Sequence, residues 1–150
     1  MQCRAEPFTI LMADDDADDC LLVRDAFIES RLASELRFVH DGEELLDYLH
    51  SRGRYSVRSL APRPGIILLD LNMPRKDGRE ALEEIKSDPD TCGIPIVVLT
   101  TSKEEIDIVR SYNLGASSFI IKPVTFNGLV EVVKSFGKYW FEIVELPGTK

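Results

Sequence analysis

Five short apolar runs, each closed by polar residues and followed by a stretch with helical spacing, constrain this chain more than any other feature. The runs are Phe8 to Ala13, Leu36 to Val39, Gly65 to Leu69, Pro95 to Leu99 and Ser118 to Ile121. In Ile66-Ile67-Leu68-Leu69 the aliphatic residues do not alternate with polar ones, the pattern of a strand buried on both faces. Between the runs, apolar and polar residues alternate at helical spacing: Leu21, Leu22, Phe27 and Ile28 with Arg24 and Asp25, then Leu45, Leu46 and Leu49 within Gly42 to His50, then Ala81, Leu82 and Ile85 within Arg79 to Lys86. A fourth helix is expected over Glu104 to Leu114, stopped at Asn113-Leu114-Gly115, and a fifth from Phe126 onward. Strand and helix thus alternate five times. Parallel strands need crossover connections, and those connections cover the faces of the sheet, so the expected class is α/β: a five-stranded parallel sheet flanked by five helices.

The 150 residues, 44% of them hydrophobic, suit one domain over residues 1–150 that buries a core without disulfide or metal staples. Eighteen basic against 26 acidic residues leave a net charge of −8, and no Lys/Arg cluster follows a helix face, which argues against direct nucleic-acid binding. No apolar stretch approaches the roughly 20 residues of a membrane span, and Met1 to Pro7 lacks the apolar segment of a signal peptide. A cytoplasmic protein is expected. Cys3, Cys20 and Cys92 are far apart, lack metal-ligand spacing and read as reduced thiols. Ser51 to Pro64, with Arg52, Gly53, Arg54, Pro62 and Pro64, has the composition of a loop.

Chemistry concentrates at the strand ends. Asp14-Asp15 follows the first run, Asp70 the third, Thr100-Thr101-Ser102 the fourth and Lys122-Pro123 the fifth. In a parallel sheet these ends share one edge, where open α/β proteins bind ligands. Asp14, Asp15 and Asp70 would repel one another unless a cation lay between them, and an all-oxygen set suits Mg²⁺. Asp14 and Asp15 precede the first helix and read as metal-binding; Asp16 reads as its N-cap, with Asp18 and Asp19 complementing the helix dipole. Lys122 is either a solvated strand-end lysine or a cation facing a negative group, and its bond to Pro123 is a candidate cis peptide. Thr100 is either a strand-favouring residue or a hydroxyl donor to a phosphoryl oxygen.

Leu11-Met12-Ala13-Asp14-Asp15-Asp16, Ile67-Leu68-Leu69-Asp70-Leu71-Asn72-Met73-Pro74-Arg75-Lys76-Asp77-Gly78, Ile94 to Thr101 and Ile120-Ile121-Lys122-Pro123-Val124 match, in order and spacing, the response-regulator receiver domain of two-component signalling. The resemblance covers nearly the whole chain and implies a flavodoxin-like (βα)5 fold. It further implies that Asp70 accepts a phosphoryl group from a phosphohistidine on a sensor kinase. Asp15, Asp70 and the backbone carbonyl of Asn72 would ligate Mg²⁺ (or Mn²⁺ in its place), with Asp14 holding the ion through water. By the same resemblance Lys122 and Thr100 would engage the phosphoryl group, and Thr100 with Phe119 would form a switch; Phe119 reads equally well as an ordinary core aromatic. With no output domain following, signalling is expected through contacts with an unknown downstream protein.

Tyr139-Trp140-Phe141-Glu142-Ile143-Val144-Glu145-Leu146 carries more apolar area than water tolerates, so the segment over about 139–150 either folds back or packs on a second copy. With the long 51–64 loop, Tyr48-Leu49-His50, Asp77-Gly78-Arg79-Glu80 and Ser111 to Gly115, it resembles the small regulators that partner bacterial phytochrome kinases, a group whose extended end is associated with homodimers. One alternative is a Mg²⁺-dependent phosphatase or phosphomutase using an aspartyl phosphate, which typically carries a second acid two residues after the nucleophile, where this chain has Asn72. Another is a degenerate receiver acting only as a docking module, disfavoured by the presence of Asp14, Asp15, Asp70, Thr100 and Lys122 together.

Overall fold

The computed structural model describes residues 8–30, 34–57, 61–71, 73, 76, 78–100, 118–121 and 126–137. The strands are β1 (Phe8–Ala13), β2 (Ser34–Val39), β3 (Ile66–Asp70), β4 (Ile96–Thr100) and β5 (Ser118–Ile121). Helices α1 (Ala17–Ser30), α2 (Gly42–Leu49) and α3 (Gly78–Ser87) connect the first four strands, and a further helix covers Phe126–Gly137. The helix expected over Glu104 to Leu114, the segment from Tyr139 onward and the Lys122-Pro123 bond lie outside the described residues. Every strand pair is parallel, in the order β2-β1-β3-β4-β5. The order reverses between β1 and β3, and at such a switch point the loops leaving neighbouring strands diverge to opposite faces and open a crevice.

Strand residues sort by parity into two cores. Ile10, Met12, Ile66, Leu68, Val97 and Leu99 share a cluster with Val23, Ala26 and Phe27 of α1 and with Val130 and Val133 of the last helix. Leu11, Ala13, Ile67, Leu69, Ile96 and Val98 share the other with Leu45, Leu46 and Leu49 of α2 and with Ala81, Leu82 and Ile85 of α3. All five residues of β3 are buried, as the unbroken aliphatic run requires of a central strand covered on both faces.

Local chemistry sets the helix starts. Asp16 Oδ1 accepts the N–H groups of Asp18 (2.9 Å) and Asp19 (3.3 Å), which makes Asp16 the cap expected from sequence. Asp41 Oδ1 accepts the Glu44 N–H at 2.8 Å at the start of α2. The second strand begins at Ser34 rather than Leu36, because Ser34 and Glu35 continue the ladder opposite Phe8 and Thr9 although neither is apolar. Within the expected 51–64 loop, Gly53–Tyr55 forms a 3₁₀ turn. That loop is tied to α2: the Tyr48 hydroxyl donates to the Pro62 carbonyl at 2.8 Å, and the Tyr48 and Tyr55 rings lie 5.0 Å apart.

Helix α3 starts hard against the strand that carries Asp70. The Gly78 N–H donates to the Leu71 carbonyl at 3.0 Å, and a Cβ on Gly78 would stand 2.5 Å from both the Asp70 carbonyl oxygen and the Leu71 Cα. Both neighbours are backbone and cannot rotate away, so the loop or the helix would have to shift. Gly78→Ala is expected to cost about 1–3 kcal/mol, the range of an overpacked site. Leu82→Ala, at a fully buried position of the second core, is expected to cost about 2–5 kcal/mol. Urea unfolding followed by circular dichroism measures both, and a Gly78→Ala midpoint equal to wild type would refute the close-approach account.

Candidate functional site

The ladder register brings the polar strand ends to one edge. Ala13, the residue before Asp14, stands opposite both Val39 and Leu69; Asp70 stands opposite Leu99, and Thr100 opposite Ile121. Asp14-Asp15 and Asp70 therefore leave β1 and β3 on either side of the switch point. One carboxylate oxygen from each of Asp14, Asp15 and Asp70 lies within 4.8 Å of the others. Asp14 is fully buried and Asp70 is 7% exposed, whereas Asp15 is exposed at the mouth. The backbone of Thr100 ends β4, and Phe119 pairs with Val98 within the β4–β5 ladder. Asn72 and Lys122 lie outside the described residues.

Asp14 is held from several directions. Its N–H donates to the Val39 carbonyl at 3.0 Å, extending the β1–β2 ladder by one residue, and its Oδ1 accepts the Asp16 N–H at 2.9 Å. Its carbonyl lies 3.6 Å from the Cys20 thiol and 3.2 Å from His40 Nδ1. A carbonyl only accepts, so the imidazole proton sits on Nδ1 in this contact. Cys20 is thus a buried thiol and Cys92 an exposed one, neither in a disulfide, as the spacing of the cysteines implied, while Cys3 lies outside the described residues.

Two full charges 4.8 Å apart repel by about 3.5 kcal/mol at an effective dielectric of about 20, and this cluster places two of its three carboxylates out of bulk water. A compact donor set made of carboxylate oxygens fits a hard divalent cation such as Mg²⁺ or Mn²⁺, which relieves that repulsion and keeps coordination positions for water or phosphate oxygens. Asp14, Asp15 and Asp70 are the described residues able to hold it.

Sequence reasoning found these three acids but missed the residues that steady them. His40, directly after β2, was not singled out; its position at the end of an apolar run was the available signal. The spacing Asp41-Gly42-Glu43-Glu44, a capping-box pattern, is the local signal for the start of α2. The Gly78 contact could not be found by pattern, because it depends on where α3 docks.

Among the described residues, no helix is long and apolar enough to cross a membrane. The family model described as the response regulator receiver domain matches residues 10–134. The response regulator Rcp1 of Synechocystis sp. is 40% identical over 141 residues, covering 94% of each chain, and the crystal structure of its Mn²⁺-bound form superposes with a TM-score of 0.82 over 94% of this chain and 99% of that one. The phosphorylated cyanobacterial phytochrome response regulator RcpA is 41% identical with a TM-score of 0.84, covering 95% of this chain and 99% of that one. Response regulator RPA3017, from red light signalling of R. palustris, is 36% identical with a TM-score of 0.87 over 95% and 99%. Agreement of this extent in sequence and in backbone leaves one conclusion: the chain belongs to the response regulator receiver domain family of signalling proteins.

Proposed function

We propose that this protein accepts a phosphoryl group on Asp70 from a phosphohistidine of a sensor histidine kinase, in a divalent-metal-dependent relay in the cytoplasm. On this reading residues 1–150 form one receiver domain, which passes the signal on through contacts with a downstream protein and binds no nucleic acid directly. The observation that carries it is the convergence of Asp14, Asp15 and Asp70 at the β1/β3 switch point. RcpA was solved in a phosphorylated form and Rcp1 with Mn²⁺, which supports the same chemistry here. RcpA, a cyanobacterial phytochrome response regulator, also supports a bacterial phytochrome as the kinase.

In the transfer, an Asp70 carboxylate oxygen attacks phosphorus, an O–P bond forms as the N–P bond breaks, and the electron pair goes to the imidazole of the kinase, which takes a proton from solvent. Positioning and neutralisation of the phosphoryl oxygens dominate such a reaction. Bound Mg²⁺, or Mn²⁺ in its place, supplies positive charge against those oxygens. Asp15, Asp70 and the Asn72 carbonyl are assigned as direct ligands, with Asp14 acting through water. Lys122 is assigned to the charge of the phosphoryl group and Thr100 to donating its hydroxyl to it, with Thr100 and Phe119 together coupling the event to the surface. Water then attacks phosphorus, releasing inorganic phosphate and restoring the Asp70 carboxylate. The segment over about 139–150 is assigned to a homodimer contact.

Incubation with a small phosphodonor and Mg²⁺, followed by intact mass measurement, is expected to give one acid-stable, base-labile phosphoryl adduct that is absent in Asp70→Asn and suppressed by chelator. Steady turnover of an added phosphomonoester by the wild type would instead favour a phosphatase. For the dimer, size-exclusion chromatography with light scattering is expected to give twice the chain mass, with truncation after residue 138 returning a monomer; a full-length monomer at all working concentrations retires that assignment.

A further inference from the structure

The residues 40–44, at the junction of β2 and α2, touch both loops that frame the acidic cluster. On one side His40 Nδ1 donates to the carbonyl of Asp14 at 3.2 Å. On the other, the Gly42 N–H donates at 3.0 Å to the carbonyl of Lys76, in the loop that runs from Asp70 to α3. A Cβ on Gly42 would collide with that carbonyl, so the two backbones are in direct contact. Lys76 is further tied by its ammonium to Glu84 of α3.

Glu44 holds this junction in shape. Its N–H donates to Asp41 Oδ1, its Oε1 accepts the His40 N–H at 2.7 Å, and its Oε2 accepts the hydroxyl of Tyr55. Tyr55 belongs to the 3₁₀ turn of the 51–64 loop, which doubles back along α2 to reach the first turn of that helix. The Tyr55 ring is packed against Tyr48, and the Arg54 guanidinium lies 5.3 Å from its centroid. Partial burial, reinforced by the bond to Glu44, pushes the Tyr55 phenol well above its ordinary range, so it stays a donor at every working pH.

From these contacts we infer that Tyr55, acting through Glu44, is a positioning residue for the acidic cluster: the 51–64 loop fixes the Glu44 carboxylate, Glu44 fixes His40 and the start of α2, and these fix the backbone of Asp14 and the loop that follows Asp70. The inference rests on the reading that Asp14, Asp15 and Asp70 hold a divalent ion. Neither Tyr55 nor Glu44 touches that ion; each acts by limiting how far the ligand-bearing backbone relaxes. Outer partners of metal ligands commonly act this way.

Isothermal titration of the full chain with Mg²⁺, and separately with Mn²⁺, tests it. Tyr55→Phe, which deletes only the hydroxyl, is expected to weaken binding about threefold, within the range seen for residues that modulate a site without contacting its ligand. Glu44→Ala is expected to weaken it about tenfold, the lower end for loss of an outer partner. Glu44→Gln is expected to restore near wild-type affinity, since its amide oxygen still accepts from His40 and its amide nitrogen donates to the Tyr55 oxygen. Thermal unfolding of each variant verifies that all are fully folded at the titration temperature, so a merely stabilising role would leave these affinities unmoved. Wild-type affinity in Tyr55→Phe overturns the inference alone, whereas no binding by the wild type overturns the metal reading and this inference with it.

Discussion

Three carboxylates with oxygens inside 4.8 Å of one another, two of them buried, form an arrangement that the chain would relax if its backbone were free to move. It is not free. β1 and β3 are adjacent central strands packed on both faces, and the residues just before the acids, Ala13 and Leu69, are register partners with no exposed surface. The two apolar clusters therefore hold the charges together, at the expense of repulsion that a cation would remove. Stability and site geometry are coupled: loosening the core at Leu11, Leu69 or Leu82 loosens the spacing of the acids.

The loops complete what the strands begin. A loop leaving a strand end has few obligatory backbone partners, yet around this cluster the backbone is bound at short intervals. Asp14 extends the ladder to Val39, and Leu71 accepts from Gly78. Lys76 accepts from Gly42 in the same manner. Gly42 and Gly78 permit this because in each case a side chain would occupy the space of a neighbouring backbone. The same pinning explains how a residue as remote as Tyr55 can bear on the acids: close-packed backbone contacts transmit displacement where flexible side chains would absorb it.

Much of this was legible in the residues. The alternation of aliphatic runs with helical spacing gave the class, the strand ends and the α1 cap at Asp16, because burial on two faces, helix periodicity and capping are local rules. Ser34 and Glu35 are not legible as strand residues, because their strand character comes from the ladder to Phe8 and Thr9 and not from their own hydropathy. The 3₁₀ turn at Gly53–Tyr55 is not legible for a similar reason: its hold on α2 depends on Tyr48 and Glu44 meeting it in space.

By itself the sequence determined which residues carry charge, that Asp14, Asp15 and Asp70 close apolar runs, and that those runs must form a parallel sheet, since each of these follows from composition and period along the chain. Only the tertiary structure decided that Asp14 is buried while Asp15 is exposed, that His40 and Cys20 share the Asp14 carbonyl, and that Gly42 and Gly78 clamp the loop after Asp70. Those facts depend on strand order and on helices docking within van der Waals distance, and such contacts between residues far apart in the chain leave no periodic trace in it.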